Sequence, residues 1–147
     1  MATLLDLPEN LRQIATFSQN GNNEGLTQMM ANFNGNVNAI LTTEGHSALH
    51  LAVLGGHAGC VTVLLSHGSD ANATMDGGNT VRLSPLHCAA RVGKRTIVDS
   101  LLAAGASLTA KNSSEKTASM IAEPGTSLGL DGVDDSGTRN FSRRQAR

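Results

Sequence analysis

Apolar residues recur three and four positions apart in several short stretches of the chain. In residues 84–93, Leu86, Ala89 and Ala90 fall on one face of a helix. A second stretch follows closely and places four aliphatic residues on one stripe, namely Ile97, Val98, Leu101 and Leu102. The two stretches predict a pair of short helices, each with one buried face.

The expected ends of these helices carry residues suited to helix termini. Ser84 is a good N-cap, and Pro85 fits the first helical position, where its missing N–H costs nothing. Gly93 and Gly105 follow the two helices, and glycine adopts the positive φ of a helix stop at low cost. The predicted helix pair therefore begins at Ser84 and ends at Gly105.

An earlier part of the chain repeats this pattern. Ser47 is the corresponding N-cap, and Gly56 and Gly68 are the corresponding stops. The inward residues between them are Leu49, Ala52, Val61, Leu64 and Leu65. Because a single helix pair cannot bury its apolar face alone, the pairs are expected to stack on one another.

The two copies resemble the ankyrin repeat family. The T-P-L-H-x-A signature of that family is matched, with Ser in place of Thr, by Ser47-Ala48-Leu49-His50-Leu51-Ala52 and by Ser84-Pro85-Leu86-His87-Cys88-Ala89. The resemblance implies an all-α solenoid in which helix-turn-helix units are joined by β-hairpin fingers. It also implies a non-enzymatic module that binds another protein.

The repeats divide the chain into five segments. We expect a degenerate N-terminal capping repeat at 1–43, an ankyrin repeat at 44–80 and a second at 81–113. Residues 114–123 resemble the start of a further repeat and would form a partial C-terminal cap. Residues 124–147 are rich in Gly, Ser, Asp and Arg, a composition typical of a disordered tail.

The segment between the two clear repeats is longer than the family period. Ser47 and Ser84 are 37 residues apart, whereas the usual period is about 33. Gly-Gly beside Asp and Asn in the excess segment favours a turn, so we expect an extended hairpin finger that contacts a partner. Its candidate contact residues are Met75, Asp76, Asn79 and Arg82.

Charge is distributed unevenly along the stack. Residues 1–70 contain five acidic side chains and one basic one, whereas residues 81–113 contain five basic and one acidic. The simpler interpretation is a solvated surface. The family resemblance instead favours contact roles for Arg91 and Lys94 on the concave face, and for His46 and His57, with an acidic patch on the partner.

Other motif residues have structural interpretations. In the family, the histidine represented by His50 and His87 bonds to neighbouring loop backbone and joins adjacent repeats. The spacing of His46, His50, His57 and His67 follows the repeat and not a metal-ligand pattern, so we expect neither a metal site nor a cofactor.

Two residues are candidates for modification. Asn72 occupies a position where ankyrin proteins can be hydroxylated, although stabilisation of the hairpin is the favoured interpretation. Ser142 lies in Arg139-Asn140-Phe141-Ser142, which resembles a basophilic kinase site, although a plain solvated tail is the favoured interpretation.

Composition excludes several classes of function. The formal net charge is −1 and the chain has no Trp or Tyr, so neither direct nucleic-acid binding nor a membrane surface is favoured. Cys60 and Cys88 fall inside predicted helices and indicate buried thiols in a reducing compartment, so we expect a cytoplasmic or nuclear protein. Motifs of hydrolases and phosphate-binding loops are absent from the sequence.

The favoured function is a non-enzymatic adaptor that binds a partner protein through its β-hairpin fingers and concave inner-helix face. The alternatives are an inhibitor similar to the NF-kappaB inhibitor family, and the targeting fragment of a larger enzyme or channel.

Replacing Leu64 or Leu101 by alanine should lower the free energy of unfolding by about 2–5 kcal/mol, because each truncation leaves a cavity on a buried face. Such a loss is comparable with the whole stability of a small domain. Urea unfolding measures the effect. A Leu101→Ala variant that unfolds like the wild type would contradict the predicted helix register.

Overall fold

The computed structural model describes residues 4, 6–43, 45–74, 84–112 and 114–121 of the chain. Within these residues it contains the helices α1 (Glu9–Asn20), α2 (Asn23–Ala31), α3 (Ala48–Leu54), α4 (Ala58–Ser66), α5 (Pro85–Val92), α6 (Arg95–Ala103) and α7 (Ala118–Ile121).

The helices form two layers. The first helices of successive pairs, α1, α3, α5 and α7, pack side by side in one row, and α2, α4 and α6 pack in a second row. Within each pair the two helices also contact each other. Between Leu4 and Thr42 lies an isolated antiparallel bridge. The predicted all-α stack of helix pairs is confirmed.

Capping boxes begin the two central first helices. Ser47 accepts a hydrogen bond from the His50 backbone N–H, and the Ser47 backbone N–H donates to Nδ1 of His50 at 3.3 Å. Ser84 and His87 repeat both bonds before α5. Each box satisfies two backbone donors of the helix entry, so it fixes where the helix starts.

Left-handed glycines end the helices of both clear repeats. Their φ values lie between 74° and 94°, at Gly56, Gly68, Gly93 and Gly105. A residue with a Cβ would be strained in this conformation, so these positions require glycine.

The core runs along the seam between the two layers. Leu64 of α4 and Leu101 of α6 are fully buried there. Ala52 and Ala89 are also fully buried on the first helices, where their small side chains let neighbouring helices approach closely. Every pair thus shares its core with the next one along the stack.

Asparagine side chains join successive repeats at the turns after the second helices. Asn38 accepts a hydrogen bond from the Asp70 backbone N–H at 2.7 Å. Asn72 accepts from the Ser107 backbone N–H at 2.7 Å and donates to the Gly105 carbonyl at 3.0 Å. Each amide therefore holds the turn of the following repeat, and we call these contacts the asparagine bridges.

Ser18 is a weak point in the α1 packing. It lies three residues before the left-handed Gly21, as Val53 lies three before Gly56. Both side chains are fully buried, but the Ser18 hydroxyl has no hydrogen-bond partner among the described residues. A buried hydroxyl without a partner reduces stability.

Replacing Ser18 by alanine should raise the free energy of unfolding by about 1 kcal/mol, because the variant removes an unsatisfied buried hydroxyl. Thermal or urea unfolding tests this. Ser47→Ala is the matched control, since this buried serine caps α3 and its loss should cost about 0.5–2 kcal/mol. Equal destabilisation by both substitutions would contradict the assignment of Ser18.

Replacing Asn72 by alanine should cost about 1–2 kcal/mol, because two inter-repeat hydrogen bonds are lost together. The Ser107 amide should also exchange faster with deuterium, which hydrogen-exchange mass spectrometry or NMR would detect. Thr109 occupies the equivalent position of the next repeat, four residues after Gly105, so Thr109→Ala should have a smaller effect. A wild-type exchange rate at Ser107 in the Asn72 variant would count against the bridge.

Candidate partner-binding surface

The predicted finger falls in a segment that the structure does not describe. Met75, Asp76, Asn79 and Arg82 lie outside the described residues, and so does Ser142. The candidate surface is therefore built from the helices and turns of the described repeats.

One repeat position is exposed in each of three successive units. Gln19, Leu54 and Arg91 each precede a left-handed glycine by two residues, in the last turn of α1, α3 and α5. All three are exposed, and Leu54 retains 39% of its accessible surface. We call this set the helix-end row.

In α3 and α5 the residue of the helix-end row contrasts with the rest of its helix. In α3, the six residues from Ala48 to Val53 are buried, and in α5 the six from Pro85 to Ala90 are buried. The row therefore marks where these two first helices reach solvent. Arg91 was predicted from the sequence but Gln19 and Leu54 were missed, although their spacing from Gly21 and Gly56 is a usable signal.

The chemistry of the helix-end row differs from repeat to repeat. It presents an amide at Gln19, a branched aliphatic group at Leu54 and a guanidinium at Arg91. Within the described part of the chain, the salt bridges involve other side chains than Arg91. An aliphatic anchor beside a directional cation can contact both apolar and acidic groups of a protein.

Lys94 lies next to this row but also links two repeats. Its Nζ donates to the Gly56 carbonyl at 2.8 Å. The side chain passes so close to Gly56 that a Cβ there would lie 3.2 Å from Cε of Lys94. Lys94 thus supplies a hydrogen-bond donor to a carbonyl at the end of the preceding first helix, while the residue as a whole stays exposed.

His57 makes the equivalent link one repeat earlier. It directly follows Gly56, as Lys94 follows Gly93, and its Nε2 lies 2.9 Å from the Gln19 carbonyl. The imidazole packs against Gly21 and Gly55, where a Cβ would collide with the ring. The structure therefore gives His57 a structural contact, half-buried between repeats.

The structure corrects the expectation for His46. Its side chain is only 5% exposed, and Nδ1 lies 2.9 Å from Oγ1 of Thr42. The same Oγ1 accepts from the His46 backbone N–H, so the pair closes the turn that precedes α3. His46 lies inside the protein and is not part of the candidate surface.

His87 joins two units as the family resemblance implied. Because its Nδ1 accepts the Ser84 N–H, the ring proton lies on Nε2. Nε2 then donates to the Lys116 carbonyl at 2.8 Å, which ties α5 to the segment before α7. His50 has the same capping contact with Ser47, and its ring centroid lies 6.2 Å from that of His46.

The cysteines do not provide an activated nucleophile. Both are free and buried. Burial raises the pKa of the Cys60 thiol. Burial also raises the pKa of Cys88 to about 12, against a smaller opposing effect of the Arg91 charge. Both groups therefore remain protonated thiols near neutral pH, and a protonated thiol is a poor nucleophile.

The described ranges contain neither a metal-binding cluster nor a membrane-spanning helix. No group of three or more His, Cys, Asp and Glu side chains in these ranges is arranged to hold a metal ion. None of the helices found there has the length and apolar character needed to cross a bilayer.

Similarity to known proteins agrees with this architecture. A family model described as ankyrin repeats, in three copies, matches residues 13–122. The mouse protein named inactive serine/threonine-protein kinase TEX14 is 43% identical over 68 residues, which cover 46% of this chain and 4% of the relative. The family match spans more than half of the sequence and agrees with the stacked helix pairs, the serine–histidine capping boxes and the left-handed glycines. The chain belongs to the ankyrin repeat family.

Proposed function

We propose that this protein is a non-enzymatic module that binds a partner protein through its fingers and the exposed face of its first helices. The helix-end row of Gln19, Leu54 and Arg91 is the observation that carries the proposal. It exposes three different side chains at one repeated position, directly after a residue that is buried in each of the three repeats.

The surrounding contacts favour a surface that is fixed before binding. His57 bonds to the carbonyl of Gln19 itself, and Lys94 bonds to the carbonyl two residues after Leu54. These links hold the ends of neighbouring first helices together. A partner would therefore find the row already ordered, which lowers the entropic cost of association.

Charge supports a partner with an acidic patch. Arg91 and Lys94 are both exposed and lie within four residues of each other, at the turn between α5 and α6. Cations at the rim of an interface mainly accelerate association and make it sensitive to salt. Leu54, one repeat away, adds an apolar contact to these two charged ones.

A second candidate function is a targeting segment within a larger chain. Similarity to TEX14 covers only 4% of that protein, which is named an inactive protein kinase. An ankyrin stack next to a kinase-like region would recruit a partner to it. A transcript or proteome containing a longer product would favour this function over a separate adaptor. The third possibility, an inhibitor similar to the NF-kappaB inhibitor family, rests only on the short stack and the long inter-repeat segment.

We also propose an intracellular location, cytoplasmic or nuclear. Two unpaired cysteines in the stacked helices are typical of proteins kept in a reducing compartment.

Replacing Leu54 by Glu, and separately Arg91 by Glu, should raise the dissociation constant for a partner by about tenfold or more. A tenfold change corresponds to a loss of about 1.4 kcal/mol of binding free energy. The partner would be isolated by affinity capture with mass spectrometry, and its affinity measured by calorimetry or surface plasmon resonance. The Arg91 variant should lose mainly association rate, because a rim charge acts on the encounter.

Thr62→Glu is the matched control, because Thr62 is exposed on α4 in the other helix layer. It should keep wild-type affinity, and all three variants should keep the wild-type helical spectrum. Shortening the segment Asp76–Thr80 tests the finger separately. Wild-type affinity in both helix-end variants, with loss in the Thr62 variant, would move the binding surface to the second-helix layer.

A further inference from the structure

An open groove of about 340 Å³ lies between α1 and α2. Two apolar side chains line its middle, Phe17 and Met29, and both are only half-buried. The other lining residues are Gln13, Gly25, Gln28 and Asn32. Because a cavity of about 150 Å³ already holds a benzene ring, this groove has room for an aromatic side chain from another segment.

A carboxylate stands near each end of this groove. Glu9 and Glu24 lie in the first turns of α1 and α2, and the two-residue turn between these helices makes them antiparallel. Gln13, which lines the groove, donates to Oε1 of Glu9 at 3.0 Å. Gln28, which also lines it, is four residues after Glu24 and therefore on the same helix face. The groove thus has an apolar middle and negatively charged ends.

The two carboxylates are about two helical turns apart along the groove. Phe17 is eight residues after Glu9, which corresponds to about 12 Å along a helix axis. Gly25, the neighbour of Glu24, lies so close to Phe17 that a Cβ there would be 3.1 Å from Cζ of the ring. Glu24 is therefore near the level of Phe17, and Glu9 is about 12 Å away along α1.

The carboxylates differ in the partners that they already have. Glu9 lies 3.3 Å from Arg12, and both side chains of this pair are more than half exposed, so the pair is weak. Glu24 is exposed and takes no part in the salt bridges found among the described residues. A cation that approaches the groove can therefore pair with Glu24 directly and share Glu9 with Arg12.

One segment of the chain carries an aromatic residue between cations at a matching spacing. Residues 139–143 have the sequence Arg-Asn-Phe-Ser-Arg and lie outside the described part of the chain. In an extended segment, alternate residues share one face, which here would carry Arg139, Phe141 and Arg143. The two arginines would then be about 13 Å apart. No Asp or Glu follows Asp135, so this part of the chain is uniformly basic.

The chain is long enough to bring this segment to the groove. The first helices α1, α3, α5 and α7 pack side by side, and packed helices are about 8–10 Å apart, so α7 is about 24–30 Å from α1. Arg139 is 18 residues after Ile121, the last described residue, and a chain of that length can span about 60 Å. A basic segment is attracted by the acidic N-terminal pair and repelled by Arg91 and Lys94 of the second repeat.

We propose that the groove between α1 and α2 is the docking site for residues 139–143 of the same chain. Phe141 inserts between Phe17 and Met29, because an aromatic ring packs well both on another ring and on a thioether. The inserted ring covers the apolar middle of the groove and shields it from water.

The flanking arginines hold the two ends of the docked segment. Arg139 and Arg143 pair with the carboxylates of Glu9 and Glu24, one at each end of the groove. Each of these ion pairs is exposed and therefore weak, but docking within one chain benefits from a high effective concentration. The docked state is reversible. It does not involve the helix-end row, so this proposal is independent of the partner-binding function.

NMR of the methionine methyl groups in the full chain tests the proposal. A ring inserted beside Met29 shifts its ε-methyl resonance, so Phe141→Ala should move this resonance. Met30 is the internal control, because it is the buried neighbour of Met29 on α2 and does not line the groove. Its methyl resonance should stay in place in the same variant.

Charge variants test the ends of the groove by the same signal. Glu24→Gln should lower the docking equilibrium constant by about twofold to fivefold, the range of one exposed ion pair. Asp99→Asn is the matched control, since Asp99 is an exposed carboxylate on α6, and it should leave the Met29 resonance unchanged. Glu24→Arg should reduce docking further. Adding either Arg139→Glu or Arg143→Glu to that variant should restore docking, and the one that does so identifies the arginine that pairs with Glu24.

Three outcomes would overturn the proposal. An unchanged Met29 resonance in the Phe141 variant would mean that this segment does not occupy the groove. A Met29 resonance that moves with protein concentration would mean that the segment docks on another copy of the chain. Failure of both charge exchanges to restore docking would mean that the carboxylates do not position the segment.

Discussion

Stacking between neighbouring helix pairs is the interaction on which the rest of this structure depends. A pair of helices of about two turns each cannot bury enough apolar surface to stay folded by itself. In this protein α3 and α4 are sealed by units on both sides, and their inward side chains are almost inaccessible to water. The exposed side chains lie on the same packed helices, so the packing also fixes their positions.

Polar contacts give this stack its register. Packing of small and aliphatic side chains tolerates some sliding, whereas a hydrogen bond to one carbonyl or amide does not. The asparagine bridges set the register at the turns after the second helices, while His57 and Lys94 set it after the first helices. Both junctions between the first three units are thus held at two places, so the helix-end row keeps a constant geometry across these units.

Much of the fold follows from local sequence because an ankyrin unit is built from local contacts. Ser84, His87 and Gly93 determine a helix start and stop within ten residues, and periodicity identifies Leu101 as core. The surface was harder to predict, because it depends on what the neighbouring repeat covers. Leu54 looks like a core residue by composition but is exposed, and His46 looks like a surface residue but closes a buried turn with Thr42. Exposure two residues before a left-handed glycine recurs in three units and could have identified Leu54, whereas no spacing in the sequence marks His46 as buried.

The threonine at position 109 makes the stack unequal along its length. Between the first three units an asparagine crosses each junction, but at Thr109 the hydroxyl stays with its own turn, 3.2 Å from Oγ of Ser107. The short helix α7 is then held by its packing on α5 and by the bond from His87 to Lys116. Free energy of local opening should therefore fall toward α7, so that this end detaches and returns while the central pairs remain closed. The central helix pairs would stay rigid while α7 opens and closes. Binding of a ligand that contacts α7 would therefore be coupled to the folding of the last unit.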